Sequence, residues 1–219
     1  MKASFSQTVP LSLCCMLCHC ADPPPPSPIN IPDVTKSDPW FADEAEERGV
    51  HFLWKSGATG KHHMPEIMGG GIAMIDIDGD DDLDLYFVQG GSMFSTGEEQ
   101  NANQLFINNQ GEFHNATSTS GVGDMGYGMG VSTGDYDNDG DPDLYVTNFG
   151  TDTLLQNDGN GNFTDVTASA GFTDESWTTG AVFFDYDKDG DLDLFVTRYL
   201  IWDQSKEFDC GVLFFGEHD

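Results

Sequence analysis

Residues 134–146 read GDYDNDGDPDLYV, and close copies of this stretch occupy residues 76–88 and 185–196. In the central copy, aspartates stand at relative positions 1, 3, 5, 7 and 9, and Gly140 stands at position 6. Five carboxylates packed this closely repel one another unless a cation neutralises them. Ca²⁺ accepts carboxylates, backbone carbonyls and water together as ligands. The pattern therefore predicts three calcium-binding loops, the first loop (76–84), the second loop (135–143) and the third loop (185–193).

In each loop we expect side-chain oxygens from positions 1, 3, 5 and 9 and a backbone carbonyl from position 7. Glycine at position 6 allows a tight turn with positive φ. In the first loop Asp81 replaces this glycine, so we expect that site to form but to bind more weakly, since Asp tolerates this backbone conformation better than most residues. The alternative is a solvated acidic turn without an ion. The candidate metal residues are Asp76, Asp78, Asp80, Asp82, Asp84, Asp135, Asp137, Asp139, Asp141, Asp143, Asp185, Asp187, Asp189, Asp191 and Asp193.

The residues after each loop argue against an EF-hand. An EF-hand loop needs a Glu at position 12 and a helix on either side, whereas position 12 here is Phe87, Val146 or Val196. Each loop leads instead into a short run of β-branched and aromatic residues, which is typical of a strand.

The similarity between the copies extends beyond the loops. Gly71, Gly130 and Gly180 each precede a loop by five residues, and the segments they begin predict buried strands that pack closely. A hairpin follows the second strand of each unit, and its Phe113 and Phe163 are 50 residues apart. A fixed period of this size with four strands predicts an all-β fold, a β-propeller with one sheet per blade. We expect two complete blades and half of a third.

The pattern resembles a known family. The motif DxDxDGxxDL with GYGMG at 126–130 is similar to the FG-GAP/VCBS repeats of integrin α-subunit-like propellers. The longer stretches PEIMGGGIAMIDIDGDDDLDLYFVQGG, NGNFTDVTASAGF and DLFVTRYLIWD resemble the cartilage acidic protein and UnbV-type group. This resemblance implies a calcium-stabilised, exported, non-catalytic propeller for adhesion or for contacts with an extracellular protein or glycan.

The ends of the chain suggest its organisation. Residues 1–20 are similar to a secretory signal, 21–38 form a Pro-rich linker, and 39–219 carry the propeller blades. We therefore expect a secreted or cell-envelope protein, with Cys20 as a possible lipid-anchor residue. Because propellers usually close with four to eight blades, we expect these blades to be an incomplete part of a longer propeller. A self-contained three-bladed form is the alternative.

The net charge and the polar residues of the first unit limit the functions that the sequence allows. The formal net charge of −30 argues against nucleic acid or an anionic membrane surface as a partner. The first unit carries a 13-residue insertion within residues 51–68, where His62, His63 and Glu66, beside His51, suggest the alternative of a propeller-fold enzyme acting on polysaccharide. Tyr127 and Trp177 stand at matching places before Gly130 and Gly180; we expect them to pack between blades, with sugar stacking as the alternative.

Overall fold

The structure is a computed structural model that describes residues 41–94 and 102–206. The predicted signal segment 1–20 and the whole of the predicted linker 21–38 lie outside the described residues, so those predictions stay open. Within the described ranges, helix is confined to single turns at Met64–Ile67, Thr117–Ser120 and Gln204–Lys206. None of these is long or apolar enough to cross a membrane.

The first sheet is one four-stranded antiparallel blade. Its strands follow one another in space in chain order: β1 (Ile72–Ile75), β2 (Asp84–Phe87), β3 (Gln104–Asn109) and β4 (Glu112–Asn115). The first loop joins β1 to β2, so its two flanking segments are hydrogen-bonded neighbours. Gln110 and Gly111 make the β3–β4 turn with φ of 54° and 94°, as a two-residue hairpin requires.

The second blade repeats this arrangement, and a third begins it. The strands of the second blade are β5 (Tyr127–Gly134), β6 (Asp143–Thr151), β7 (Thr153–Asn157) and β8 (Phe163–Asp165). The first two strands of a third blade are β9 (Glu175–Phe184) and β10 (Asp193–Arg198). The start of β9 also pairs with the end of β6, so the second blade and these two strands form one six-stranded sheet, and the prediction of one sheet per blade is wrong here. The prediction of an all-β partial propeller with two and a half blades in this part of the chain is confirmed.

The blades pack face to face through apolar side chains. The first blade contributes Ala73, Tyr86 and Leu105, and the second contributes Leu144, Val146 and Leu155. All six are buried, and each large apolar side chain removed from water stabilises the fold by about 1.5–3 kcal/mol. This layer fixes the two blades against each other.

Two details of the first strands differ from expectation. The strands predicted to begin at Gly130 and Gly180 start three to five residues earlier, at Tyr127 and Glu175. In β1, exposed and buried side chains alternate, because successive side chains of a strand point to opposite faces. Ile72 and Met74 in β1 are 53% and 64% exposed, since no other blade in the described residues covers their face. The prediction of buried strands is therefore wrong for all three segments: apart from Ala73, the residues at 71–75, 130–134 and 180–184 are half-buried or exposed.

Glycines allow neighbouring blades to approach closely, as predicted. A Cβ built on Gly71 would lie 2.9 Å from the Cα of Gly130 and 3.2 Å from the backbone N of Val131. A Cβ on Gly130 would lie 3.3 Å from the carbonyl oxygen of Thr179 in β9. The first strands of successive blades are thus in backbone contact where a side chain would not fit.

The insertion in the first unit covers one end of all three blades. Its methionines Met64 and Met68 pack, with Met93, against a cluster that includes Tyr127 and Trp177. The hydroxyl of Tyr127 also donates a hydrogen bond to the carbonyl of Ser56 at 2.8 Å. Tyr127 and Trp177 are each only 3% exposed, so they pack between elements as expected and present no ring face for a sugar.

Each complete blade has a buried amide or carboxylate residue directly before its third strand, hydrogen-bonded to residues in or just after the second strand. In the first blade Asn103 accepts a hydrogen bond from the backbone N–H of Gln89 at 2.6 Å and donates to the hydroxyl of Tyr86 at 3.1 Å. In the second blade Asp152 takes the same place, accepting from the N–H of Asn148 and from the Tyr145 hydroxyl, both at 2.8 Å. Burial raises the pKa of Asp152 despite these hydrogen bonds, with the Thr178 hydroxyl as a third donor.

Candidate metal sites

The aspartate at position 1 organises each loop. Both carboxylate oxygens of Asp76 accept backbone N–H groups, from Gly79 at 2.9 Å, Asp80 at 3.2 Å and Asp81 at 3.0 Å. The equivalent aspartates of the other loops do the same, accepting from Asp139 and Gly140 or from Lys188 and Gly190. The loop backbone therefore wraps around the first carboxylate.

The aspartate at position 9 ties each loop to the sheet. Asp84 is fully buried and accepts N–H groups from Ile77 at 2.9 Å and from Asn108 in β3 at 2.8 Å. Asp143 is equally buried and accepts from Tyr136 at 3.0 Å and from Asn157 in β7 at 2.8 Å. In the third loop, Asp193 accepts from Tyr186 at 2.8 Å but is exposed.

Three carboxylates converge in every loop. One oxygen from each of positions 1, 3 and 9 lies within 4.8 Å of the others, in the groups Asp76, Asp78, Asp84; Asp135, Asp137, Asp143; and Asp185, Asp187, Asp193. Nine of the fifteen predicted ligands are thus brought together, three to a loop.

The carboxylates at positions 5 and 7 are outside these groups and make other contacts. At position 5, Asp80 accepts the N–H of Asp82 at 2.9 Å, and the other two loops repeat this contact. At position 7, Asp82 accepts the N–H of Gln110 at 2.7 Å. Asp191 accepts the side-chain amide of Asn138 in the second loop at 2.6 Å. Ligation by these six residues stays a prediction.

The electrostatics of the clusters suit a divalent cation. Burial raises the pKa of Asp143 to about 6, against the opposing hydrogen bonds from Asn157 and Tyr136. In the first loop, burial and then the charges of Asp80 and Asp76 raise the pKa of Asp78. One oxygen of Asp78, Oδ1, is buried without a hydrogen-bond partner. An all-oxygen set of crowded anions with an unsatisfied buried oxygen fits Ca²⁺, which when bound would neutralise them and crosslink the loop.

Positive φ occurs at two positions of every loop. At position 6, Asp81 has φ of 69° where the other loops have Gly140 and Gly190 at 100° and 98°, so the expected left-handed aspartate is confirmed. Position 4 is left-handed as well, including Asn138 at 59° and Lys188 at 65°. We did not predict this second turn residue, although Gly79 and Asn138 at that position are residue types that favour such a conformation.

These features identify the type of repeat that the chain contains. A four-stranded antiparallel blade whose first two strands are joined by an aspartate-rich loop is a repeat of the β-propeller type, and strands on both sides of each loop exclude the EF-hand. The sequence profile of the FG-GAP-like repeat matches residues 76–146 and 135–196, which together span more than half of the chain. The chain therefore belongs to the FG-GAP-like repeat family. No curated protein matches it, and the finer UnbV-type assignment stays a prediction.

The insertion brings His63 and Glu66 into contact, with the His63 backbone N–H donating to Glu66 at 3.2 Å, but it does not add His51 or His62 to them. His51 lies at the surface, with Nδ1 2.7 Å from a carboxylate oxygen of Glu46, and His62 is exposed with φ of 58°. His63 is buried, and its ring lies 5.6 Å from that of Trp202. These side chains therefore face three different surroundings.

Glu66 closes the insertion on itself. Its oxygens accept the backbone N–H groups of Thr59 at 2.9 Å and His63 at 3.2 Å. Burial alone would raise the pKa of Glu66, but these hydrogen bonds outweigh burial and lower it. Both carboxylate oxygens are thus engaged with the backbone.

Proposed function

We propose that this chain is a calcium-stabilised β-propeller module that acts outside the cytoplasm in adhesion or in binding a protein or glycan, without catalysis. The convergence of three carboxylates in each of three loops carries the proposal. Positions 1 and 3 follow the first strand of a blade and position 9 begins the second strand. A cation bound by the carboxylates at positions 1, 3 and 9 therefore links the end of the first strand of a blade to the start of its second strand.

The proposed location follows from affinity. An extracellular-type calcium site has a Kd of roughly 10⁻⁴–10⁻³ M. At millimolar calcium, each such site stabilises the folded chain by about 0.4–1.4 kcal/mol, whereas at cytosolic calcium the loops would be empty and self-repelling. Membership of a family typical of extracellular proteins supports the same location. Cys20, at which lipid anchoring is the alternative to free secretion, lies outside the described residues.

The absence of catalysis is supported by the engagement of Glu66 with the backbone and by the burial of His63 among aromatic rings. The formal net charge of −30 is offset by only six charges when three Ca²⁺ ions bind. The surface therefore stays acidic, which favours a neutral or basic partner over nucleic acid.

Thermal unfolding with EDTA, CaCl₂ and MgCl₂ tests the calcium dependence. We expect Ca²⁺ to raise the Tm well beyond Mg²⁺, which demands a stricter octahedral geometry. Asp137→Asn, in the carboxylate cluster of the second loop, should remove part of this gain. Asp141→Asn makes the same charge change four residues away but leaves the cluster intact, so it should retain more of the gain. An identical Tm in EDTA and CaCl₂ would refute the proposal.

A further inference from the structure

Asn157, at the end of β7, contacts two of the candidate calcium sites. Its backbone N–H donates to Oδ1 of Asp143, a member of the second-loop cluster, at 2.8 Å. Its side-chain amide donates to the carbonyl oxygen of Ile77 in the first loop at 2.8 Å. Asn157 is 2% exposed, so both hydrogen bonds are shielded from water and stronger than at the surface.

The Ile77 carbonyl is directly bonded into the backbone of the first-loop site. It is part of the peptide that joins Ile77 to Asp78, whose carboxylate is in the first-loop cluster. The N–H of Ile77 donates to Asp84, another member of that cluster. Asn157 therefore holds a peptide group that lies between two ligands of one site, while its own backbone orients a ligand of the next site.

The β7–β8 turn adds a second contact between the same two places. A Cβ built on Gly161 would lie 3.7 Å from Cβ of Asp78 and 3.8 Å from Ile77 Cγ2. The turn of the second blade thus packs against the first loop beside the hydrogen bond from Asn157. Movement of the first loop therefore has to be accommodated by this turn.

We propose that Asn157 is a positioning residue that couples the first and second loops, so that calcium in one increases the affinity of the other. This inference rests on the proposed function. Calcium in the first loop fixes the Ile77–Asp78 peptide, which fixes the side chain of Asn157 and hence the N–H that orients Asp143. The second ion then meets an ordered ligand, and by thermodynamic linkage the effect is reciprocal.

The first blade supplies a matched control. Asn108 occupies the equivalent place at the end of β3, and its side chain donates to the Leu83 carbonyl at 3.0 Å as Asn157 donates to that of Pro142 at 3.2 Å. It likewise accepts the N–H of the following turn glycine, Gly111, at 2.8 Å. Within the described part of the chain, Asn108 makes no hydrogen bond to another blade. Alanine at either position removes the same local contacts, but only Asn157→Ala removes the link between loops.

The experiment is calcium titration by calorimetry in a background of Asp187→Ala, which disables the third loop. Adding Asp137→Ala, an exposed side chain, disables the second loop and leaves Asn157 untouched. We expect the first loop to bind at least about fivefold more weakly when the second cannot fill. The coupling ratio is the Kd of the first loop with Asp137→Ala divided by its Kd without that change. With Asn157→Ala we expect this coupling ratio to fall close to one. With Asn108→Ala we expect it to stay at about five or more, even if the first loop itself binds calcium more weakly.

The experiment distinguishes failure of the coupling between loops from failure of the proposed calcium binding. Calcium binding by the unaltered chain with a ratio near one overturns the coupling, and it does so without any change at Asn157. Loss of the ratio with Asn108→Ala as well as with Asn157→Ala also overturns it. Absence of calcium binding by the unaltered chain refutes the proposed function. Unfolding in EDTA of the two alanine variants shows how much each weakens the fold without the ion.

Discussion

Replacement of Gly71 by alanine tests whether backbone contact between the first strands of adjacent blades is needed for stability. The new Cβ would lie 2.9 Å from the Cα of Gly130, 3.2 Å from the N of Val131 and 3.4 Å from the carbonyl carbon of Gly130. All three atoms are backbone, so relief requires one blade to shift against the other. Such overpacking costs about 1–3 kcal/mol, and the smaller entropy of the unfolded alanine chain recovers about 0.4–1 kcal/mol.

Gly180 is the matched control, because it stands at the same place before the third loop. Among the described residues, a Cβ there would meet no backbone atom and only the side-chain oxygen of Thr197, at 3.3 Å, which donates a hydrogen bond to the Gly180 carbonyl at 3.0 Å. We expect Gly180→Ala to leave the free energy of unfolding unchanged or to raise it by up to about 1 kcal/mol, since the unfolded chain loses the same entropy and no backbone atom is in the way.

Urea unfolding at saturating calcium measures both variants. We expect Gly71→Ala to lower the free energy of unfolding by about 1–2 kcal/mol net, or the Tm by roughly 2–8 °C for a chain of this size. Equal effects of the two substitutions, or a neutral Gly71→Ala, would contradict the idea that the described blades need glycine contact.

Three further predictions follow from single side chains. Because burial raises the pKa of Asp152, its ionisation opposes folding; Asp152→Asn should stabilise the chain at pH 7, with the gain fading as the pH falls through the raised pKa of the folded state and absent below about 3.9, the pKa of an unfolded Asp. The reverse change, Asn103→Asp, should destabilise it at pH 7, and stabilisation by that change would contradict the reasoning. Glu66 has a lowered pKa, so the stability it contributes is present above about pH 4.3 and is lost on acidification. Glu66→Gln cannot accept both backbone N–H groups and should cost about 1–3 kcal/mol at pH 7, a difference that narrows at pH 3.5; both pH comparisons use urea unfolding. Asp81→Gly should relieve a left-handed φ of 69° and raise the unfolding free energy in EDTA by about 1 kcal/mol, whereas no change would show that the loop holds this turn without strain.

The blades could be predicted because their signals are local and repeat. The spacing from Gly71, Gly130 and Gly180 to the loops places each first strand, and the aspartate register places the loops between strands. Both depend on short-range geometry. A turn with positive φ favours glycine at one position, and a strand alternates its side chains from one residue to the next, so both are recognisable in neighbouring residues. The family match confirms the repeats themselves.

The rest depends on contacts between residues far apart in the chain. The hydrogen bond from Asn157 to Ile77 joins positions 80 residues apart, and nothing in either local pattern indicates it. The insertion likewise reads as a loop with three scattered polar residues, yet it folds around Glu66 and packs on Tyr127. Which carboxylates converge also depends on how the loop backbone wraps around Asp76, which spacing alone does not determine.

The hydrogen-bonded ladder between Phe149–Thr151 in β6 and Glu175–Trp177 in β9 has a consequence for recognition. It makes the second blade and the start of the third a continuous plate, so the angle between them cannot open as a hinge without breaking backbone hydrogen bonds. A molecule that docks across this junction must therefore match a preformed contour. Any surface formed across this junction therefore keeps one fixed shape.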